Sequence, residues 1–339
     1  MDDLGWSDHF AAQITPEHAH LTPARLTTVA RSRLRALSTD GLISLQPPPD
    51  TRSGTYATGD WVLFDPATGV VVHTLERTTL LTRPSAATAT ETQLIAANID
   101  TLGIVTSCNA DFNPARLERY LALAAAAGTR PLIILTKADQ AEDTDPYVQA
   151  ASALSPDVTV IALNAKDPAA PDLLAPWCSD GQTLALVGSS GVGKSTLSNA
   201  LTGGAAKTQD IRDDDAKGRH TTSARGLAAT LSGGWLIDTP GMRALPLGDV
   251  GDGIAAVFAD LAELSTQCKF SDCAHTVEPG CAVQAAVAKG DVLADRVARW
   301  LKLTQEDARN TATRADNRQQ AKSRERTYKK AQKAKKKRK

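Results

Sequence analysis

A glycine-rich octapeptide near the middle of the chain constrains the fold more than any other feature. Residues 188–195 read Gly-Ser-Ser-Gly-Val-Gly-Lys-Ser and fit the pattern G-x-x-x-x-G-K-[ST]. The apolar stretch 184–187 predicts a strand directly before the loop, and residues 196–201 predict a helix directly after it. In such a unit the backbone N–H groups of the loop and the positive end of the helix bind phosphate. The sequence therefore predicts an α/β domain with a phosphate-binding loop.

The loop motif predicts a set of nucleotide contacts. Lys194 is expected to reach the β- and γ-phosphates and to act in catalysis, and the Ser195 hydroxyl is expected to bind Mg²⁺. The residues expected to contact the nucleotide here are Gly188, Ser189, Ser190, Gly191, Val192, Gly193, Lys194, Ser195 and Thr196.

A second motif follows another apolar strand. Residues 235–237 predict a strand that runs into Asp238-Thr239-Pro240-Gly241. The carboxylate of Asp238 is placed to hold Mg²⁺, and the N–H of Gly241 can contact the γ-phosphate. The same four residues alone can form a simple turn, but together with the upstream loop they make a strong pair.

A base-reading motif lies upstream of the phosphate loop. Thr136-Lys137-Ala138-Asp139 ends the predicted strand 131–135. A carboxylate at Asp139 can accept hydrogen bonds from the N1–H and the exocyclic amine of guanine, a donor pair that adenine lacks. An unmatched buried acceptor costs about 1–3 kcal/mol, which favours GTP over ATP. The stem of Lys137 would cover the base.

The strand predicted at 158–163 leads to another candidate contact. Asn164 and Ala165 follow it, and a backbone N–H there can meet the guanine oxygen. A plain surface loop is the alternative. In an ordinary guanine-nucleotide switch protein the phosphate loop precedes the base motif, whereas here it follows. The order indicates a circularly permuted domain.

The polar segment between the loop and Asp238 holds the candidates for hydrolysis. It contains Gly218-Arg219-His220-Thr221-Thr222. Thr222, with Thr221 as the alternate, is expected to close over Mg²⁺ when the γ-phosphate is present. Met242 stands near where small GTPases carry a water-orienting glutamine. His220 is the candidate to orient or deprotonate the attacking water, and a solvated loop histidine is the alternative.

Three cysteines and a histidine form a compact cluster near the C-terminus. Cys268, Cys273, His275 and Cys281 lie within 14 residues. Three thiolates and one imidazole suit a closed tetrahedral Zn²⁺ site, which is structural because no position stays open. Clustered cysteines and the absence of a signal peptide or a long apolar run indicate a reducing, cytoplasmic location and no membrane segment.

The flanks suggest further domains. Short β-like runs at 41–45, 61–64 and 70–72 suggest a small antiparallel barrel of the OB or an SH3-like type. The whole chain has 38 basic and 38 acidic residues, but residues 322–339 hold eleven basic residues and one acidic residue. Such a tail favours a polyanion, and a solvated tail without function is the alternative.

We expect five segments along the chain. These are an N-terminal extension (1–25), an OB-like barrel (26–88), a circularly permuted GTPase domain (89–253), a helical zinc-binding domain (254–310) and a basic tail (311–339).

As a set, these motifs identify a family. The order of base motif, phosphate loop, Gly-x-His-Thr-Thr, Asp-Thr-Pro-Gly and Cys-x4-Cys-x-His-x5-Cys resembles the circularly permuted, small-ribosomal-subunit-dependent GTPases (RsgA, also called YjeQ or EngC). The resemblance covers residues 26–305 and is strongest from Thr136 to Cys281. It implies base contacts at Lys137 and Asp139, zinc ligands at the four cluster residues and hydrolysis through His220. Thr136 departs from the asparagine of many GTPases.

The resemblance also implies a function. It implies a late maturation factor that binds the small ribosomal subunit and its rRNA, and that hydrolyses GTP to GDP and phosphate with stimulation by the subunit. We also expect the protein to be a monomer. Two other hypotheses remain open: an RNA-binding assembly factor that uses the nucleotide only as a structural latch, and a metabolic ATPase or kinase, against which Asp139 argues.

Overall fold

The protein is represented by a computed structural model, which describes residues 1–30, 33–49, 51–84, 92–204, 226–238 and 250–312. The chain divides into two compact units, Met1–Thr82 with Leu94–Leu245 and Arg83–Gln93 with Pro246–Lys339. In those described ranges, no helix has the length and the apolar character needed to cross a bilayer.

The first unit begins with a five-stranded barrel. Neighbouring strands pair antiparallel in the order β3-β2-β1-β4-β5. The N–H of Gln46 donates to the carbonyl of Gly69, and the N–H of Val71 donates to the carbonyl of Gln46, so the outer strands join and the sheet closes. A closed five-stranded sheet of this kind is an OB-type barrel. Its strands are β1 (Thr22–Val29), β2 (Leu34–Ser38), β3 (Gly41–Leu45), β4 (Trp61–Asp65) and β5 (Val70–Thr74).

The barrel core follows from the alternation of side chains along its strands. In β2, Leu34 and Ala36 are buried, while Arg35 between them is not. Residues two apart on a strand lie on one face, so the apolar set of each strand points into the barrel. The buried core comprises Ala24, Leu26, Leu34, Ala36, Leu45, Tyr56, Val62, Phe64 and Val71.

The N-terminal segment packs against the barrel through aromatic side chains. The ring of Trp6 meets that of Trp61 edge-on at 4.8 Å, and Phe10, in helix α1 (Asp8–Ala11), is only 3% exposed. The indole N–H of Trp235 donates to the carbonyl of Asp3 at 2.8 Å. The segment therefore contacts both the barrel and the α/β sheet.

A buried arginine fixes the barrel to the α/β domain. Arg25 of β1 donates to the carbonyls of Leu4 and Asn98 and to the hydroxyl of Thr183. Burial lowers the pKa of Arg25 to about 10, although the negative charge of Asp100 acts to raise it. Removing one partner of a buried charge is strongly destabilising, so these hydrogen bonds hold the two sheets together.

In the sequence between the barrel and the α/β domain, β6 (Leu80–Pro84) and β7 (Thr92–Ala97) pair with each other.

The α/β domain is built on a six-stranded sheet in the order β10-β9-β8-β11-β13-β12. The first five strands in that order are parallel, and β12 is antiparallel. Strands β8 and β11 are buried along their whole length, as expected for a parallel sheet covered on both faces. The strands are β8 (Thr101–Ser107), β9 (Arg130–Thr136), β10 (Thr159–Ala162), β11 (Thr183–Gly188), β12 (Gly226–Ala229) and β13 (Trp235–Asp238).

Helices connect these strands, and local signals set their ends. Helix α2 has Pro114 in its first turn, an Asn113 cap that accepts from the N–H of Arg116, and Gly128 in the left-handed conformation at its end. These are the expected start and stop residues of a helix. The helices are α2 (Pro114–Ala127), α3 (Asp145–Ser152), α4 (Ala170–Leu174) and α5 (Lys194–Thr202).

The described part of the second unit is mainly helical. The guanidinium of Arg296 lies 4.8 Å from the centre of the Phe258 ring and donates to both carboxylate oxygens of Asp260. The Asp307 carboxylate accepts from the N–H of Val250. The helices are α6 (Gly251–Val257), α7 (Ala259–Ser265), α8 (Ala282–Lys289) and α9 (294–312). The predicted fold class of barrel, permuted α/β domain and helical module with a Cys/His cluster is confirmed.

Candidate nucleotide and metal sites

The sequence motifs meet at one edge of the central sheet. The phosphate loop follows β11, Asp238 ends the adjacent strand β13, and Thr136 ends β9. Strand β8 lies between β9 and β11 and pairs with both of them. Because neighbouring strands are about 4.8 Å apart, the base motif and the phosphate loop start roughly 10 Å from each other. Ligands of open parallel sheets bind at this carboxyl edge.

Close backbone approach dictates glycine at the start of the loop. Gly188 has a φ of 142°, and a Cβ there would lie 2.2 Å from the carbonyl oxygen of Val105 on β8. Ser190, Gly191 and Ser195 are exposed, whereas Val192 is fully buried beneath them. The buried side chain of Val192 therefore anchors the loop to the domain, and the exposed face of the loop is accessible to a ligand. Thr196 is half-buried in the first turn of α5.

The lysine of the loop folds back over the loop backbone. Lys194 Nζ lies 2.8 Å from the carbonyl oxygen of Gly188 and 2.5 Å from that of Ser189. Both contacts hold the ammonium group over the loop, next to the N-terminus of α5. A cation and a helix N-terminus together create a site for an anion.

A second cation reaches the loop from α2. Arg116 Nη1 donates to Ser189 Oγ at 2.6 Å. Arg116 is not among the predicted site residues, because it belongs to no recognised motif. Its position three residues after the Asn113 cap, at the carboxyl edge of β8, could have indicated it.

The first residue of the base motif is bound to the phosphate loop. Thr136 is fully buried, and its hydroxyl lies 2.5 Å from the carbonyl oxygen of Val192 and 3.0 Å from that of Thr106. Thr136 therefore links strands β9 and β8 to the loop. Its side chain is engaged in these contacts beneath the surface where a base would lie.

On the next turn Lys137 is half-buried and Asp139 is exposed. Lys137 has a φ of 58°, a left-handed conformation that is uncommon for residues other than glycine. Asp139 is exposed in the short 3₁₀ turn Ala138–Gln140. Strained backbone is often found where a side chain must be aimed at a ligand.

Asn164 and Ala165 lie beside this turn. The N–H of Ala138 donates to the carbonyl of Leu163, which ends the adjacent strand region. The side chain of Asn164 accepts from the N–H of Lys166 at 2.9 Å, and Ala165 is buried. The Asn164 side chain therefore stabilises the turn, so any contact with a base would fall to the backbone.

Asp238 is half-buried at the end of β13, where it pairs in register with Leu186 of β11. Its carboxylate thus starts one strand away from the phosphate loop. The remaining predicted residues of this site, His220, Thr221, Thr222 and Gly241, and the basic tail beyond residue 312 lie outside the described residues.

The cysteine–histidine cluster has the spacing of a metal site. The donor atoms of Cys268, Cys273, His275 and Cys281 all lie within 4.8 Å of one another. Cys268 Sγ is 3.8 Å from Cys281 Sγ and 3.5 Å from His275 Nδ1, and Cys281 Sγ is 3.6 Å from that nitrogen. With bonds of about 2.3 Å to sulfur and about 2.0 Å to nitrogen, a tetrahedral Zn²⁺ site has edges of roughly 3.5–3.8 Å. The donors present fit such an ion.

Contacts from outside the cluster hold two of the sulfurs and the histidine. Backbone N–H groups of Ala282 and Gln284 donate to the sulfurs of Cys268 and Cys281, each at 3.4 Å. The ring of His275 packs at 5.2 Å against that of Trp300 of α9. The cluster therefore joins the loop 268–281 to helices α8 and α9.

Comparison with known proteins gives one family. Residues 74–248 match the family model described as RsgA GTPase. The chain is similar to the small ribosomal subunit biogenesis GTPase RsgA of Mesorhizobium japonicum, with 53% identity over 92% of this chain and 91% of that protein. It is also similar to the protein of that name numbered 2 in Vibrio vulnificus, with 42% identity over 95% and 92%.

Solved structures agree in fold. YjeQ of Thermotoga maritima matches with a TM-score of 0.63 and 24% identity, over 84% of this chain and 98% of that chain. YloQ, described as a circularly permuted GTPase, matches with a TM-score of 0.60 and 27% identity, over 87% and 98%.

Proposed function

The chain belongs to the RsgA GTPase family, and we propose that it binds the small ribosomal subunit and its rRNA and assists late subunit maturation. Its enzymatic activity is that of the family, the hydrolysis of GTP. One observation supports the proposed site most strongly: the base motif after β9 and the phosphate loop after β11 share one sheet edge, with a single strand between them.

We propose that one GTP lies across this edge. Asp139 accepts the two guanine donors, Lys137 covers the base, and the backbone at Asn164 and Ala165 meets the guanine oxygen. Residues 188–196 bind the phosphates, with Lys194 at the β- and γ-phosphates. The exposed positions of Asp139, Ser190 and Ser195 above buried strands support this assignment.

The magnesium ligands in this proposal are Ser195, Asp238 and Thr222, with Thr221 as the alternate. Bound Mg²⁺ neutralises charge on the β- and γ-phosphate oxygens. Hydroxyl and carboxylate oxygens are the ligands it prefers. Asp238 ends β13, the neighbour of β11, and the loop after β11 leads to Ser195 in α5. The N–H of Gly241 contacts the γ-phosphate.

For the hydrolysis step we propose His220 as the group that orients or deprotonates the attacking water. Met242 has no polar group for that task. Hydrolysis by the free protein is then slow, and the subunit accelerates it by ordering the segment that carries His220.

We propose Zn²⁺ as the ion of the cysteine–histidine cluster and a structural role for it. All four positions are filled by Cys268, Cys273, His275 and Cys281, so none remains for a substrate. The ion links the loop to α8 and α9 in a module with a small core, which is a common use of zinc.

The proposed partner contacts are the barrel, the zinc module and the basic tail. OB-type barrels bind nucleic acids, and a cluster of lysines neutralises phosphates. Consistent with a factor that acts on ribosomal subunits, we propose that the protein works as a cytoplasmic monomer. Mass measurement in solution, with and without GTP, tests the last point.

The experiment that tests the function is GTP turnover with and without purified small subunits. Turnover that rises severalfold or more with small subunits, and not with large subunits, supports the proposal. Multiple turnover that stays negligible on subunits, together with retained nucleotide-dependent binding, would instead indicate an assembly factor that uses the nucleotide as a latch. A salt series in the same binding assay measures the phosphate contacts, because affinity for RNA falls with log salt in proportion to their number.

A further inference from the structure

A carboxylate outside the ligand set organises the loop that carries two of the metal ligands. Glu278 lies between His275 and Cys281 in the sequence. Its Oε1 accepts from the N–H of Ala274 at 3.0 Å. Its Oε2 accepts from the N–H groups of Thr276 at 2.9 Å and Val277 at 3.1 Å, and the Thr276 hydroxyl lies 3.4 Å away. Three backbone N–H donors, one before His275 and two after it, therefore converge on one side chain.

Packing does little to hold the residues that flank His275. Ala274, Thr276 and Val277 are exposed, and Val277 is 90% exposed. Packing therefore contributes little to the order of the loop, since apolar burial is the main source of local stability. Hydrogen bonds to Glu278 supply the order that packing does not.

The loop also contains a strained residue at the ligand itself. His275 has a φ of 58°. A left-handed conformation is unfavourable for a residue with a Cβ, and it persists only where the surroundings impose it. Glu278 fixes the residues before and after His275, and the side-chain amide of Gln284 donates to the His275 carbonyl at 2.6 Å. These contacts aim Nδ1 at the two sulfurs.

The carboxylate is well suited to this role. Its own backbone N–H and those of Thr276 and Ala274 lower the pKa of Glu278 to about 2. It therefore stays an acceptor on both oxygens under conditions where a zinc site forms. An isosteric amide would present one acceptor and one donor, and the donor would face backbone N–H groups.

We propose that Glu278 is a positioning residue for the metal site, which shapes the loop of Cys273 and His275 before the ion binds and thereby sets how tightly the ion is held. The inference rests on the proposed zinc site. Partners that orient metal ligands typically change metal affinity by about 10–100-fold when they are mutated. Glu278→Gln should then release zinc about 10–100-fold faster, or bind it that much more weakly, than the wild type.

The test uses the full-length protein loaded with zinc. Zinc release to a chromogenic chelator is followed in the wild type, in Glu278→Gln and in Glu263→Gln, which removes one exposed carboxylate of α7 in the same unit. Only Glu278→Gln should release faster. The absorption of a Co²⁺-substituted site reports the ligand geometry, which a general loss of stability would not alter in the folded protein.

Each outcome decides a separate question. A wild type that binds no zinc contradicts the proposed metal site itself. A wild type that binds one zinc, with Glu278→Gln releasing it at the wild-type rate, overturns the role of Glu278 alone. If Glu278→Gln is isolated unfolded, zinc is titrated back: recovery of helix content at a 10–100-fold higher zinc concentration supports the proposal, and no recovery at any concentration contradicts it.

Discussion

The hydroxyl of Thr136 lies 2.5 Å from the carbonyl oxygen of Val192, so the residue that opens the base motif is bound to the backbone of the phosphate loop. The same hydroxyl lies 3.0 Å from the carbonyl of Thr106 on β8. Three segments that are far apart in the sequence thus meet at one buried atom. This contact sets the spacing between the two halves of the proposed GTP site.

Replacing Thr136 by valine tests this contact. The change keeps the shape of the side chain but removes the hydroxyl, which leaves two buried carbonyl oxygens without that donor. We expect a loss of about 1–3 kcal/mol, divided between the free energy of unfolding and that of GTP binding. Denaturant unfolding and equilibrium nucleotide titration measure the two parts. Thr136→Ser keeps the hydroxyl and should lose much less, and a valine variant equal to the wild type in both assays would contradict the assigned role.

Two glycines of the loop should differ in their effect on stability. An alanine at Gly188 would bring its Cβ to 2.2 Å from the Val105 carbonyl oxygen, so we expect Gly188→Ala to cost about 3 kcal/mol or more. At Gly191, with a φ of 81°, a Cβ meets nothing within 4 Å, and Gly191→Ala should cost only about 1–2 kcal/mol of strain. Unfolding midpoints of the nucleotide-free proteins compare the two. Equal midpoints would show that β8 does not confine the loop as described.

His220→Ala should separate hydrolysis from binding. If His220 orients or deprotonates water, subunit-stimulated turnover should fall about 10²–10⁴-fold, while the affinities for GTP and GDP stay unchanged. Ser223→Ala, in the same segment, is the control for a general disturbance. Full turnover in the histidine variant would assign the step to another group, and an equal loss in both variants would indicate a conformational effect.

The pair Asp260–Arg296 should contribute a pH-dependent part of the stability of the second unit. Partial burial opposes the ionisation of Asp260, but hydrogen bonds and the charge of Arg296 outweigh it and hold its pKa below its ordinary value. A lowered folded-state pKa stabilises the protein above the ordinary value, and the contribution disappears as the pH falls through the lowered one. Because the Asp260 side chain is 48% exposed, the contribution should be about 1 kcal/mol or less.

Asp260→Asn checks that contribution. The difference in unfolding free energy between the wild type and this variant should shrink as the pH falls from 6 toward 3. Asp291→Asn, an exposed carboxylate in the same unit, should show no such trend. A difference that grows on acidification would have the wrong sign for a lowered pKa.

The elements with strong local signals were predictable from the sequence. Helix α2 is one of these elements, because proline, the Asn113 cap and Gly128 mark both of its ends. The predicted strand 41–45 coincides with β3, and 184–187 lies within β11. Fully apolar strands and glycine-rich loops can be recognised from their own residues, so the elements around the phosphate loop could be predicted from local sequence.

Features that depend on distant residues were not predictable. The contact of Trp235 with the Asp3 carbonyl joins residues 232 positions apart, and no pattern near either residue indicates it. Likewise, β12 lacks a strand signal in its Gly-Leu-Ala-Ala sequence and exists because it pairs with β13. The contact of Arg116 with Ser189 depends on the order of the strands in the sheet. The sequence motifs suggest a parallel sheet but do not give that order.

The most direct measurement is the nucleotide preference of Asp139→Asn. In the proposed site, Asp139 faces the purine of the same nucleotide whose phosphates contact Lys194. Loss of two hydrogen bonds to a charged acceptor should weaken GTP binding by about 100-fold or more, and xanthosine triphosphate should then bind better than GTP. Asp157→Asn, an exposed carboxylate in the same unit, should keep the preference for GTP. An Asp139→Asn protein that still binds GTP like the wild type and gains no affinity for the xanthine nucleotide would contradict the proposed site.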